Sequence, residues 1–98
     1  MNIEFPENLT KEFLSALLED NLEDWATAKK YGEFLTALCP PLLIGHLVLC
    51  RALRHTGDVQ LALKELSICR TIVTGVDFHE QAFLPELEQE ERFLKPGP

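Results

Sequence analysis

The sequence is poor in basic residues and contains no long hydrophobic run. Nine lysines and arginines stand against sixteen aspartates and glutamates, so the formal net charge at pH 7 is -7. This charge opposes long-range attraction to nucleic acid and to anionic membranes. The densest apolar stretch, Leu42 to Leu53, is interrupted by Gly45, His46 and Arg51 and is too short to span a bilayer. We therefore expect neither a nucleic-acid partner nor a membrane partner.

Markers of secretion and of stable disulfides are also lacking. Residues 1–6 contain neither a basic run nor an apolar stretch of signal-peptide length. The three cysteines, Cys39, Cys50 and Cys69, are odd in number and form no C-x-x-C pair. Neither a disulfide framework nor a zinc ribbon is predicted from this spacing. We expect reduced thiols and a cytoplasmic location.

Residue patterns typical of catalysis or cofactor binding are scarce. His46 and Cys50 lie one helical turn apart, but a metal site needs three or four donors, so we interpret both as core residues. His79 and Glu80 could begin a metalloprotease helix, but Phe83 stands where its second histidine is needed. The five glycines are isolated, so no phosphate-binding loop is predicted. We expect no enzyme activity, no catalytic residues, no cofactor and no metal.

What the sequence does contain is helical periodicity along almost its whole length. At 98 residues, with 46% hydrophobic and 26% charged residues, the chain has the composition of one globular domain. Apolar residues recur at spacings of three and four, without the alternation of a half-buried strand, which predicts an all-α fold. The predicted helices cover residues 10–20, 24–38, 42–55, 59–74 and 85–94, and a short predicted turn covers residues 79–82.

Capping and helix-breaking residues separate these segments. Thr10 and Asp58 are suited to the first position of a helix, where their side chains can accept a backbone hydrogen bond. Pro40 and Pro41 end the second helix. Gly57 supplies the left-handed residue that commonly closes a helix, here the third. Pro85 is compatible with the last helix only in its first turn.

A shift of the chain by 34 positions aligns its helices with one another. A fixed period indicates a repeat architecture, and the backbones of packed helices approach closely only where side chains are small. The small residues expected at these contacts are Ala28, Cys50, Ala62 and Cys69. The aligned pairs include Asp24 with Asp58, Ala28 with Ala62, Leu38 with Ile72, Phe13 with Leu47, and Leu53 with Leu87.

The period and its residues resemble the tetratricopeptide repeat (TPR), with the best match over residues 43–74. The matching positions are Cys50 and Cys69 at small sites, Leu53 at a large site, Gly57 and Asp58 at the turn, and Ala62 at the tightly packed alanine. The departures are His46 at a tryptophan position, Glu23 at the turn glycine, Glu12 and Glu19 at apolar positions, and Gly32 opposite Leu66. The resemblance implies one domain, residues 1–98, a short α-solenoid of about two antiparallel helix pairs in units 8–41 and 42–75, followed by a capping helix at 78–95. We interpret the acidic run Glu86 to Glu91 as the solvated face of that cap.

The resemblance also implies a binding groove lined by the first helix of each pair. The predicted partner-binding residues are Phe13, Leu17, Leu47, Arg51, Arg54 and His55. Arginines there could pair with carboxylates, and leucines could receive the apolar anchors of an acidic or amphipathic peptide. We then expect replacement of Arg51 and Arg54 by alanine to weaken binding without unfolding the chain. In the alternative interpretation, the two arginines neutralise Glu12, Glu19 or the Glu86 to Glu91 run within the same molecule.

The function implied is a non-catalytic protein–protein interaction, with another protein or peptide held in the groove. One alternative is a structural homodimerisation unit, because two repeats are fewer than the three usually needed for stability. The other is a small dedicated chaperone, similar to the short helical-repeat chaperones of bacterial secretion systems.

Overall fold

The structure is a computed structural model that describes residues 11–75 and 80–94. Within these two ranges all regular secondary structure is helical, which confirms the all-α prediction. Thr10 and His79, a predicted cap and the first residue of the predicted turn, lie outside the described residues. The helices are α1 (Lys11–Leu18), α2 (Trp25–Leu38), α3 (Leu43–His55), α4 (Val59–Thr74), a 3-10 helix (Glu80–Phe83) and α5 (Leu84–Leu94).

The helices α2 and α4 begin in the same way. Asp24 precedes α2 and accepts a hydrogen bond from the Thr27 amide at 3.1 Å. Asp58 precedes α4 and accepts one from the Leu61 amide at 3.5 Å, as predicted for a capping aspartate. Each carboxylate satisfies an amide that has no partner within its own helix. The two caps are 34 positions apart in the chain.

The third helix, α3, ends in a Schellman motif built on Gly57. The φ angle of Gly57 is +91°, so the prediction of a left-handed residue at this position is confirmed. The Asp58 amide donates to the Leu53 carbonyl at 2.8 Å, and the Gly57 amide donates to the Arg54 carbonyl at 3.2 Å. These two bonds satisfy carbonyls that would otherwise lack a partner at the helix end.

The first helix, α1, ends in the same motif, but an aspartate takes the place of the glycine. Asp20 has a φ angle of +60°. The Asn21 amide donates to the Ala16 carbonyl at 2.8 Å, and the Asp20 amide donates to the Leu17 carbonyl at 3.2 Å. The left-handed residue after α1 is therefore Asp20, four positions before the α2 cap Asp24, whereas Gly57 comes directly before the α4 cap Asp58. As a result α1 ends at Leu18, before the predicted end at residue 20.

The central helix of the described fold is α3, which packs against α2, α4 and α5. A β-carbon added to Gly32 of α2 would lie only 2.9 Å from the Cα atom of Leu49, so the backbones of α2 and α3 are in close contact. The small residues expected at helix contacts, Ala28, Cys50, Ala62 and Cys69, are all fully buried. Small side chains therefore occupy the core positions at which the predicted pairs were expected to pack.

The last helix, α5, follows the 3-10 helix directly and rests on α3 and α4. Pro85 is its second residue, a position at which proline removes no intrahelical hydrogen bond. Leu87, Glu90 and Leu94 form its buried stripe. None of the described helices combines the length and apolar character that a bilayer span requires.

Candidate functional site

The predicted partner-binding residues differ widely in exposure. Leu17, Leu47 and Arg51 are buried, with no more than 2% of their surface exposed. The prediction that these three residues line an open groove is therefore wrong, because α1 and α5 cover this side of α3. Arg54 is half-buried and His55 is exposed. Phe13 lies in α1, but its side chain is outside the described part of the structure.

Arg51 joins three helices. Its Nε atom donates to Glu90 Oε1 of α5 at 3.1 Å. Its Nη1 atom donates to the carbonyl oxygens of Leu18, at 2.9 Å, and Leu17, at 3.4 Å. A positive charge is favourable beside these carbonyls because the C-terminus of a helix carries partial negative charge. The remaining nitrogen, Nη2, is buried and has no hydrogen-bond partner among the described residues.

Arg54 lies one turn further along α3 and binds two carboxylates. Its Nε atom donates to Glu90 Oε2 at 2.8 Å. Its Nη2 atom lies 2.7 Å from each carboxylate oxygen of Asp20. The guanidinium carbon lies 4.3 Å from the centre of the Phe93 ring, within the range of a cation–π contact. Arg54 therefore ties the turn after α1 to α5.

Asp20 is held by His55 as well as by Arg54. The Nε2 atom of His55 lies 2.7 Å from Asp20 Oδ1, and the His55 ring stacks on Trp25 with centroids 4.0 Å apart. Burial acts to raise the pKa of Asp20, but the hydrogen bonds from Arg54 and His55 outweigh it and hold that pKa below its ordinary value. Asp20 is therefore ionised at neutral pH. These bonds also fix a left-handed conformation that is uncommon for a residue other than glycine.

We call Asp20, Arg51, Arg54, His55 and Glu90 the α3 charge cluster. It contains two arginines and two carboxylates, so its arginine and carboxylate charges balance. The geometry matches the alternative interpretation, in which the arginines are neutralised within the same molecule. Their partners are Glu90 and a residue that the sequence did not suggest, Asp20.

The burial of Glu90 corrects two of the predictions made from the sequence. Glu90 is completely buried, so the interpretation of Glu86 to Glu91 as a solvated face is wrong at this position. In addition, replacement of both Arg51 and Arg54 by alanine would leave Glu90 buried without its cationic partners. Removing one partner of a buried ion pair typically costs about 3–5 kcal/mol. We therefore expect the double alanine variant to be less stable than the parent.

Sequence reasoning missed Glu90 although a signal for it was present. Glu90 lies three residues after Leu87 and four before Leu94. This spacing places its side chain on the same helix face as the two buried leucines. An acidic residue on an apolar stripe requires a buried cation, and Arg51 and Arg54 are one turn apart on the central helix.

A second buried polar contact involves His46. Its Nε2 atom lies 2.6 Å from the Pro40 carbonyl oxygen, and its Nδ1 atom lies 2.7 Å from Glu65 Oε1. The Pro40 carbonyl oxygen can only accept, so Nε2 is the donor in that hydrogen bond. His46 thus connects the α2–α3 turn to α4, and both of its nitrogens are engaged away from Cys50. Among the described residues no group of three or more histidine, cysteine, aspartate or glutamate side chains is arranged to hold a metal ion.

Two large apolar side chains remain exposed beside the α3 charge cluster. Leu18, whose carbonyl binds Arg51, is 51% exposed, and Phe93, which covers Arg54, is 54% exposed.

Comparisons with family models, curated proteins and solved structures found no match to this chain. The function must therefore be inferred from the contacts that α3 makes with its neighbours.

Proposed function

We propose that this chain is a non-catalytic protein–protein interaction module with a short TPR-like architecture. Two equivalences at a spacing of 34 residues support the repeat. Asp24 and Asp58 each cap the second helix of a pair, and Ala28 and Ala62 are both completely buried in those helices. In such an array α1 and α3 are the first helices of two pairs, and α5 occupies the next position along the groove side.

The observation that supports this proposal most directly is the packing of α5 against α3. Leu87 and Leu94 of α5 belong to the same apolar cluster as Leu47 and Leu53 of α3. Between the two leucines, Glu90 accepts hydrogen bonds from Arg51 and Arg54. An amphipathic helix laid into a groove with regularly spaced anchors is a recurring mode of protein recognition. The surface of α3 therefore has the chemistry to hold an acidic amphipathic helix.

The leucines and the arginines of this surface contribute to recognition in different ways. The leucines supply apolar burial, which is roughly proportional to the area removed from water. The arginines supply selectivity, since a helix without a carboxylate between its leucines would leave the buried Arg51 without an ion-pair partner and Arg54 with Asp20 alone. An apolar helix or a basic helix of the same shape would be rejected on this ground.

A peptide titration followed by NMR tests the proposal. The isotope-labelled full chain, at a concentration shown by sedimentation equilibrium to be monomeric, would receive a designed acidic helix with the pattern Leu-x-x-Glu-x-x-x-Leu. The matched control carries lysine in place of the glutamate. At saturating peptide we expect the acidic helix, and not its lysine counterpart, to shift the signals of α3. Equal shifts with both peptides, or none with either, would exclude this function.

A further inference from the structure

We propose that α5 is a built-in competitor for this surface, and that the natural partner is an acidic helix carrying the same leucine, glutamate and leucine anchors. This inference rests on the proposed function and adds the partner's pattern and the regulation of its access. The anchors in α5 are Leu87, Glu90 and Leu94, spaced by three and four residues. These are its buried residues.

Binding of α5 and binding of such a partner are mutually exclusive. Glu90 fills the space between Arg51 and Arg54 and is completely buried there. A second carboxylate could enter that space only after the first has left, because like charges at such a distance repel. The partner helix must therefore displace α5.

The hydrogen bonding between α5 and the rest of the fold is incomplete, which favours the displacement of α5. Arg51 Nη2 and Glu86 Oε2 are buried, and neither atom has a hydrogen-bond partner among the described residues. A buried donor or acceptor without a partner weakens the contact that buries it. A partner that offers an acceptor to Arg51 Nη2, and has no carboxylate at the position equivalent to Glu86, would bind this surface better than α5 does.

The contacts of α3 with α2 and α4 do not involve α5. The central helix α3 has its own extensive contacts with α2 and α4, whereas α5 is joined to the body mainly through α4 and a smaller contact with α3. At its far end α5 carries Phe93, which is 54% exposed even while it covers Arg54. This end of α5 is the part whose release uncovers Arg54.

The test measures whether weakening α5 strengthens the binding of an added copy of its sequence. A fluorescent peptide with the sequence of residues 84–94 would be titrated into three full-length chains: the parent, Glu90→Gln and Glu88→Gln. Glu88 is exposed on the same helix and serves as the matched control. The apparent dissociation constant equals the intrinsic one divided by the fraction of molecules whose site is open. We therefore expect the peptide to bind Glu90→Gln at least about tenfold more tightly than it binds the parent or Glu88→Gln.

Three further measurements keep the result decisive if Glu90→Gln folds poorly. In the parent, saturating peptide should increase hydrogen exchange at the amides of α5 while the amides of α3 stay protected. Phe93→Ala, at an exposed position, should also bind the peptide more tightly than the parent. A peptide carrying glutamine at the position of Glu90 should bind every chain more weakly than the native peptide.

The outcomes separate this inference from the proposed function. If the native peptide binds all chains equally and α5 stays protected, the competition is overturned, while the module can still bind a helix elsewhere. If neither this peptide nor the designed acidic helix binds any of the chains, both proposals are overturned. Tighter binding to Glu90→Gln together with exposure of α5 supports both.

Discussion

Arg51 of α3 and Glu90 of α5 are 39 positions apart in the chain and form an ion pair that is almost completely withdrawn from solvent. Each charge would be costly to bury alone. Arg54 and Asp20 extend the pair, so two arginines and two carboxylates satisfy one another where α1, α3 and α5 meet. The cluster thus fixes the position of α5 on the central helix.

The first prediction concerns Arg51. Arg51→Met keeps much of the aliphatic stem but leaves Glu90 with one cation and removes the donor to the Leu18 carbonyl. Because Glu90 keeps Arg54, we expect a loss of about 1.5–3 kcal/mol in the free energy of unfolding, measured by urea denaturation. Arg92→Met, at an exposed position on α5, should change stability by less than about 0.5 kcal/mol.

A variant that replaces both Arg51 and Glu90 shows whether the loss in Arg51→Met comes from the broken ion pair. When both partners of a buried ion pair become apolar, stability is often recovered, because no charge remains to be desolvated. Arg51→Met combined with Glu90→Leu should therefore be more stable than Arg51→Met alone. An Arg51→Met chain as stable as the parent would show that the pair contributes nothing to the docking of α5.

The helices were predictable from local signals, whereas the contacts that define the site were not. The end of α3 at Gly57 and the start of α4 after Asp58 depend on neighbouring residues, and both appear where they were predicted. The left-handed conformation of Asp20 in the turn after α1 could not be predicted, because Arg54 supports it and local sequence does not reveal that partner. The spacing of Glu90 from Leu87 and Leu94 indicated a buried position, but its pairing with Arg51 and Arg54 depends on the packing of α5, which local sequence does not reveal.

The second prediction concerns the crossing of α2 and α3. Gly32→Ala would place a β-carbon 2.9 Å from the backbone of Leu49, so one helix must move away from the other. We expect a cost of about 1–3 kcal/mol in the free energy of unfolding, as in other overpacked cores. Gly75→Ala is the matched control, since its β-carbon would lie an ordinary 3.5 Å from the Thr71 carbonyl oxygen. Equal losses in the two variants would mean that α2 and α3 are not in close contact at Gly32.

The third prediction concerns the pH dependence contributed by Asp20. Its pKa is lower in the folded chain than the ordinary 3.8, so its contribution is complete above that value and is lost as the pH falls through the folded pKa. Asp20→Asn should tolerate the left-handed conformation while removing the charge. At pH 7 we expect Asp20→Asn to lose about 1.5–3 kcal/mol, the range for hydrogen bonds to charged groups.

Acid titration of stability provides the check. The difference between the parent and Asp20→Asn should shrink when urea denaturation is repeated at pH values below the ordinary aspartate pKa. Glu33→Gln, at an exposed position on α2, controls for the general effect of removing a negative charge. A difference that stays constant down to the lowest pH at which the chain folds would contradict the role given to the Asp20 carboxylate.

The fourth prediction concerns the three thiols. Cys39 is exposed, while Cys50 and Cys69 are buried. Burial, reinforced by the nearby Glu90 carboxylate, raises the pKa of Cys50 to about 12. Burial likewise raises the pKa of Cys69. Because the thiolate is the reactive form, the folded chain should present one fast thiol to a disulfide reagent at pH 8, and the unfolded chain should present three. In the Cys39→Ser variant, no thiol should react rapidly with the reagent until the chain unfolds. A second thiol that reacts as fast as Cys39 in the folded parent would mean that the core around α3 opens far more readily than its packing implies.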